Sequence, residues 1–174
     1  MNQTQAALVM VLGAIAVLAL MWWGWKNRQQ RTAPLVAELP TTPSDLGNTI
    51  YGPIPGIYVS TTTHGDWLNR INAHTLGDRS TVTVTVHQTG VYLDRPSATG
   101  IFIPHHTITG AALTPGIAGK FTGKDGITVI SWTIPTPQGD AVELDTGIRT
   151  THKKDKTPLI DAITTLQGQA KESQ

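Results

Sequence analysis

Cysteine is absent from this chain of 174 residues. That excludes disulfides, thiol nucleophiles and thiolate metal sites at a stroke. Charge is also scarce: Asp, Glu, Lys and Arg make up 14% of the sequence, with 13 basic and 12 acidic residues. A net charge of +1 leaves no electrostatic footprint for nucleic acid, so none is expected as a partner. No basic residue precedes Ala6, which argues against a secretory signal peptide with its basic leader.

What the chain does have is one uninterrupted apolar run. Residues 6–25, AALVMVLGAIAVLALMWWGW, carry no charge. As a helix rising about 1.5 Å per residue the run is about 30 Å long, the thickness of a bilayer's hydrocarbon core. It ends in Trp22, Trp23 and Trp25, whose indoles suit the headgroup level, followed at once by Lys26, Arg28 and Arg31. The reading is a retained transmembrane helix, with the lipid bilayer as first partner. Basic residues on one side only predict a cell-membrane protein with its N-terminus outside and its C-terminal domain in the cytoplasm.

The expected organisation is a short extracytoplasmic segment 1–5, the span 6–25, and a basic then proline-rich linker 26–49. A domain over 50–168 and a polar tail 169–174 follow. Pro34, Pro40 and Pro43 make the linker a semi-extended spacer. Seventeen glycines and eleven prolines favour turn-rich β structure in the domain.

Strand signals run from Ile57 to Thr63, and most cleanly from Ser80 to His87, where Val82, Val84 and Val86 alternate with Thr81, Thr83 and Thr85. Further runs are Val91–Arg95, Ile101–Ile103, His106–Leu113, Ile127–Ile134 and Ala141–Asp145. Tyr51–Gly56 reads as a turn leading in. Trp67, Leu68 and Ile71 share one helical face, predicting a short amphipathic helix from Asp66 to about Ala73. Thr157 as N-cap, Pro158 at the first helical position and the stripe Leu159, Ile160, Ile163 and Leu166 predict a closing helix that Gly168 can end.

Six or seven short antiparallel strands followed by one helix predict a small closed barrel plugged by that helix, the order of the pleckstrin-homology (PH) superfold. The stretches Tyr58-Val-Ser-Thr-Thr with Gly65-Asp-Trp-Leu, Gly116-Ile-Ala-Gly-Lys120 and Asp145-Thr-Gly-Ile-Arg149 resemble a family of actinobacterial single-pass membrane proteins with a PH-like domain. These are often labelled membrane or export proteins. The resemblance implies a membrane tether and a PH-like fold, and brings no catalytic or ligand residues with it.

Chemistry-bearing constellations are thin. His64, His74, His87, His105, His106 and His152 include no pair at the i, i+4 spacing of a helical zinc site, so no metal is expected. Gly116-x-x-Gly-Lys120 is too short for a phosphate-binding P-loop and lacks its Ser or Thr. Lys120 and Lys124 are the candidate contacts for an anion or lipid headgroup. Thr61-Thr-Thr-His64-Gly-Asp66 holds a hydroxyl, an imidazole and a carboxylate, the thin basis for a remote hydrolase reading. The expected function is a non-enzymatic, cofactor-free scaffold that docks a protein partner at the cytoplasmic face of the membrane. The alternative is an anionic lipid-headgroup module.

Overall fold

The computed structural model describes residues 3–32, 36, 38–124 and 126–172; on the N-terminal helix the side chains described are those of Gln5 and residues 10–24. That helix, α1, spans Gln3–Thr32. Its described apolar side chains are exposed, from Met10 at 72% to Trp23 at 68%. Among the described residues no helix is long and apolar enough to cross a membrane. Residues 10–24 as helix reach about 22 Å, short of a core of about 30 Å. The remainder of the expected span, 6–9 and Trp25, lies outside the described side chains.

The domain is built on β1 (Thr49–Thr63), a strand of 15 residues. Its first part pairs with β3 (Ser80–His87) and its last part with β10 (Ala141–Thr150), both antiparallel. Around Gly56–Tyr58 it pairs on both sides at once. Outward from β3 lie β4 (Gly90–Asp94) and β5 (Ile101–Pro104). Outward from β10 lie β9 (Ile127–Pro135) and β6 (Ile108–Thr114). The strand order is β5-β4-β3-β1-β10-β9-β6, with β2 (Asp66–Arg70) paired to β1.

The sheet does not close, because β5 and β6 form no ladder, and this corrects the closed barrel expected from sequence. Strand β5 is four residues long and runs into a tight turn at His105–Thr107. Helix α2 (Lys156–Glu172) packs against that turn, β6, β1 and β3 instead. It buries Leu159, Ile163 and Leu166 completely, each worth about 1.5–3 kcal/mol. The helix starts at Lys156, so Thr157 and Pro158 sit in its first turn, and it runs past Gly168.

Three more expectations are corrected. Tyr51–Gly56 lies within β1, with Gly52 and Pro53 at a register shift where a missing N–H is tolerated. Residues 66–70 form a strand. Gly65 at φ 77 turns the chain back so that Asp66 faces Thr63 and Arg70 faces Thr62. Lastly, the described part of the expected spacer, residues 36 and 38–48, is tied to the domain. Val36 is 1% exposed within the main core, Leu39 packs against it, and the Leu46 carbonyl accepts from Thr89 Oγ1 at 2.9 Å.

Inside the domain a directed chain of hydrogen bonds crosses the sheet. Tyr58 donates its only hydroxyl proton to the Leu76 carbonyl at 2.7 Å, so at 2.7 Å Thr61 Oγ1 must donate to Tyr58. Thr146 Oγ1 then donates to Thr61 at 2.8 Å, and Trp132 Nε1 donates to Thr146 at 2.9 Å. All four side chains are fully buried. Burial pushes the Tyr58 phenol far above its ordinary range, which keeps it a donor. Arg95, 2% exposed, lies over the Tyr58 ring at 4.5 Å and ties down the carbonyls of Thr75 and Thr99.

Candidate functional site

The outer face of the sheet carries a second, smaller core of Val59, Ile117, Ile127 and Val129. A surface sheet face would normally be wet. Here a flap covers it, made of β7 (Gly116–Ile117) and β8 (Lys120–Phe121). Ala118 and Gly119 join them at φ 53 and 73, the positive pair of a tight two-residue hairpin. Ile117 rests on Gly147, where an added Cβ would come within 2.6 Å of Ile117 Cγ2. Gly147→Ala is therefore expected to lift the flap at a cost of about 1–3 kcal/mol. Faster protease cleavage within residues 115–126, with the domain otherwise folded, is the readout.

The flap is stitched to the β2 hairpin. Ala118 N–H donates to the Trp67 carbonyl at 2.7 Å, and Arg70 Nη2 donates to the Ala118 carbonyl at 3.2 Å. Between hairpin, flap and the outer face of β1 and β10 lies a cavity of about 150 Å³. Ile57 and Val59 form its floor, with Arg70, Arg79, Lys120 and Arg149 around it and Phe121 at its side. Arg149 is placed there by pairing with Ile57 across β1 and β10. Among the described residues none of the four cations has a carboxylate within 4.0 Å. Four positive charges thus surround a part-apolar hollow, an arrangement that attracts negative charge.

Of the two lysines named from sequence, Lys120 lines this cavity, whereas Lys124 is exposed and does not. Trp22 and Trp23 are exposed on α1. Trp25, Lys26, Arg28 and Arg31 fall within α1, but their side chains lie outside the described residues. Sequence reasoning missed Arg70, Arg79 and Arg149, which only the strand register brings together.

The histidines do not converge. Among the described residues no group of three or more His, Cys, Asp or Glu could hold a metal. Nor does the Thr61–Asp66 stretch assemble a triad. Thr61 is sealed in the buried chain, and His64 turns to Asp145 rather than Asp66, at 2.9 Å. Ser131 Oγ donates to that same Asp145 oxygen at 2.6 Å and the other imidazole nitrogen faces Glu143 at 3.8 Å, so among the described residues no hydroxyl is hydrogen-bonded to His64.

The hydrogen bond to Asp145, and then its charge, raise the His64 pKa above the ordinary 6.5, with Glu143 adding to the effect. The folded state thus binds the proton more tightly than the unfolded state. Its contribution to stability is fully present below the unfolded pKa and is lost as pH rises through the folded one. Half the side chain is in water, so the effect is a few tenths of a kcal/mol, roughly. His64→Gln is expected to flatten the slope of stability against pH just above pH 6.5, measured by urea melts across that window.

No curated protein matches the chain at a significant level. A family profile described as Bacterial PH domain-like matches residues 36–164. The match opens at Val36, the first residue of the proline-rich segment found in the core, and closes within α2. PH-like domains typically bind proteins or lipids and are typically non-catalytic. Seven principal strands, a closing helix and this match together place the chain in the bacterial PH domain-like family.

Proposed function

We propose that the chain is a non-enzymatic, membrane-anchored recognition module. Residues 6–25 serve as the anchor, Trp22, Trp23 and Trp25 mark its interface, and Lys26, Arg28 and Arg31 hold the domain at the cytoplasmic face. The cavity between hairpin and flap takes the anionic headgroup of a lipid. The observation that carries this reading is the ring of Arg70, Arg79, Lys120 and Arg149, none of which has a carboxylate within 4.0 Å among the described residues. Each basic residue near an anionic surface contributes about 1 kcal/mol.

A second reading is favoured by the exposed Trp67 and Phe121 beside those arginines, since Trp and Arg dominate protein docking sites. In it, the cavity holds an acidic segment of a membrane-associated protein partner. The test is a titration of the full chain in neutral detergent with short-chain phosphatidylglycerol. Saturable binding that weakens steeply as salt rises from roughly 0.1 to 1 M supports the headgroup reading. No saturation with the lipid, together with a crosslinked protein recovered from native membrane, favours the second reading.

A further inference from the structure

We infer that the β2 hairpin and the flap enter the bilayer beside the bound headgroup, with Trp67, Leu68 and Phe121 as the inserted side chains; this rests on the headgroup reading above. These three are 53%, 58% and 77% exposed. Outside α1, the large exposed hydrophobics of the described chain are Ile50 and these three. Scattered apolar residues on a surface need no explanation, but these three lie close together on two hydrogen-bonded hairpins, Trp67 and Leu68 on the two sides of β2 and Phe121 on the flap. The turns are coupled: Trp67 accepts from the flap backbone, and the Leu68 side chain reaches to 3.9 Å from the Cβ position of Gly119.

Charge complementarity and the tether select a bilayer as the occupant. Phe121 lines the cavity together with Arg70, Lys120 and Arg149, so an exposed apolar side chain and cations share one opening, as on peptides that lie in an anionic interface. An aqueous protein face would have to offer grease and negative charge side by side, which a leaflet containing phosphatidylglycerol does everywhere. The connection is also short. Val36 is buried in the core four residues after α1 ends at Thr32, so four Cα steps, about 15 Å at most, separate the helix from the domain. A domain so held meets the leaflet at high effective concentration.

The cysteine-free chain permits a direct test in the full-length protein. Nitroxide labels are placed on Leu68→Cys and Phe121→Cys, on Thr122→Cys in the cavity lining, and on the exposed Thr164→Cys of α2 as a water-facing control. The protein is reconstituted in vesicles of phosphatidylcholine alone or with phosphatidylglycerol. The inference expects labels 68 and 121 to shift from collision with a water-soluble nickel complex to collision with oxygen when phosphatidylglycerol is present, while label 164 stays aqueous. Label 122 should lose access to the nickel complex in the same vesicles. If label 122 is shielded but 68 and 121 remain aqueous, insertion is wrong and the headgroup reading stands. If no label responds, both fall. Spin–spin broadening of label 68 that grows with protein concentration in neutral detergent would make a second copy the occupant and overturn the inference.

Discussion

Thr146→Val is expected to lower the stability of the domain by about 2–4 kcal/mol, a large share of the roughly 5–15 kcal/mol that holds a domain together. The substitution keeps shape and removes one oxygen. Among the described residues that oxygen is the one acceptor of the indole N–H of the fully buried Trp132, and its proton is what Thr61 Oγ1 accepts. Valine therefore strands a buried donor, and an orphaned donor costs about 1–3 kcal/mol because water cannot replace the lost partner. The bonds of a chain strengthen one another, so its middle is the costliest place to cut. In thermal melts of the full chain in detergent, the midpoint should fall by roughly 10 °C. Thr61→Val should act in the same way, and the double variant should cost less than the two singles added. Strict additivity, or a loss below about 0.5 kcal/mol, would show that the four residues do not work as a unit.

This chain also explains what could and could not be seen in the sequence. Val82, Val84 and Val86 alternate with threonines because one face of β3 meets the core, and all three are at most 3% exposed. An alternation that follows burial is legible. On β9, Ile127 and Val129 share a face with Ser131 and Thr133, yet they are buried, because a flap from elsewhere in the chain covers them. The same logic explains the misread helix. Trp67, Leu68 and Ile71 have helical spacing, but only Ile71 is buried. Spacing rules assume that apolar residues point inward, so an outward-facing patch yields a false period. Val36 and Leu39 lie in a five-residue stretch between Pro34 and Pro40, too short to show a period, although they pack on the core.

The candidate site is less legible still. Lys120 was visible because a glycine-rich loop surrounds it. Arg70, Arg79 and Arg149 lie in three separate parts of the sequence, and each alone reads as an ordinary solvated cation. They meet because β1 pairs with β2, β3 and β10, which sets Arg70 opposite Thr62 and Arg149 opposite Ile57. Register is a tertiary fact, fixed by which faces are buried along whole strands.

Reversing two of these charges should separate binding from folding. Arg79→Glu with Arg149→Glu changes the local charge by four units at exposed positions. At about 1 kcal/mol per unit near an anionic surface, the affinity for phosphatidylglycerol should fall by about 4 kcal/mol, roughly 1000-fold. In practice saturation should disappear from the titration, followed by a fluorophore on Thr122→Cys. Stability should move by no more than about 0.5 kcal/mol, because both side chains are exposed and neither is hydrogen-bonded among the described residues. Arg70 is a poorer choice for this test. It holds the carbonyls of Gly77 and Ala118, so its loss would disturb the flap as well as the charge. Unchanged lipid affinity in a folded double variant would remove the anion from the cavity. The ring of cations would then be a solvated surface, and the apolar patch beside it would have to find its partner without their help.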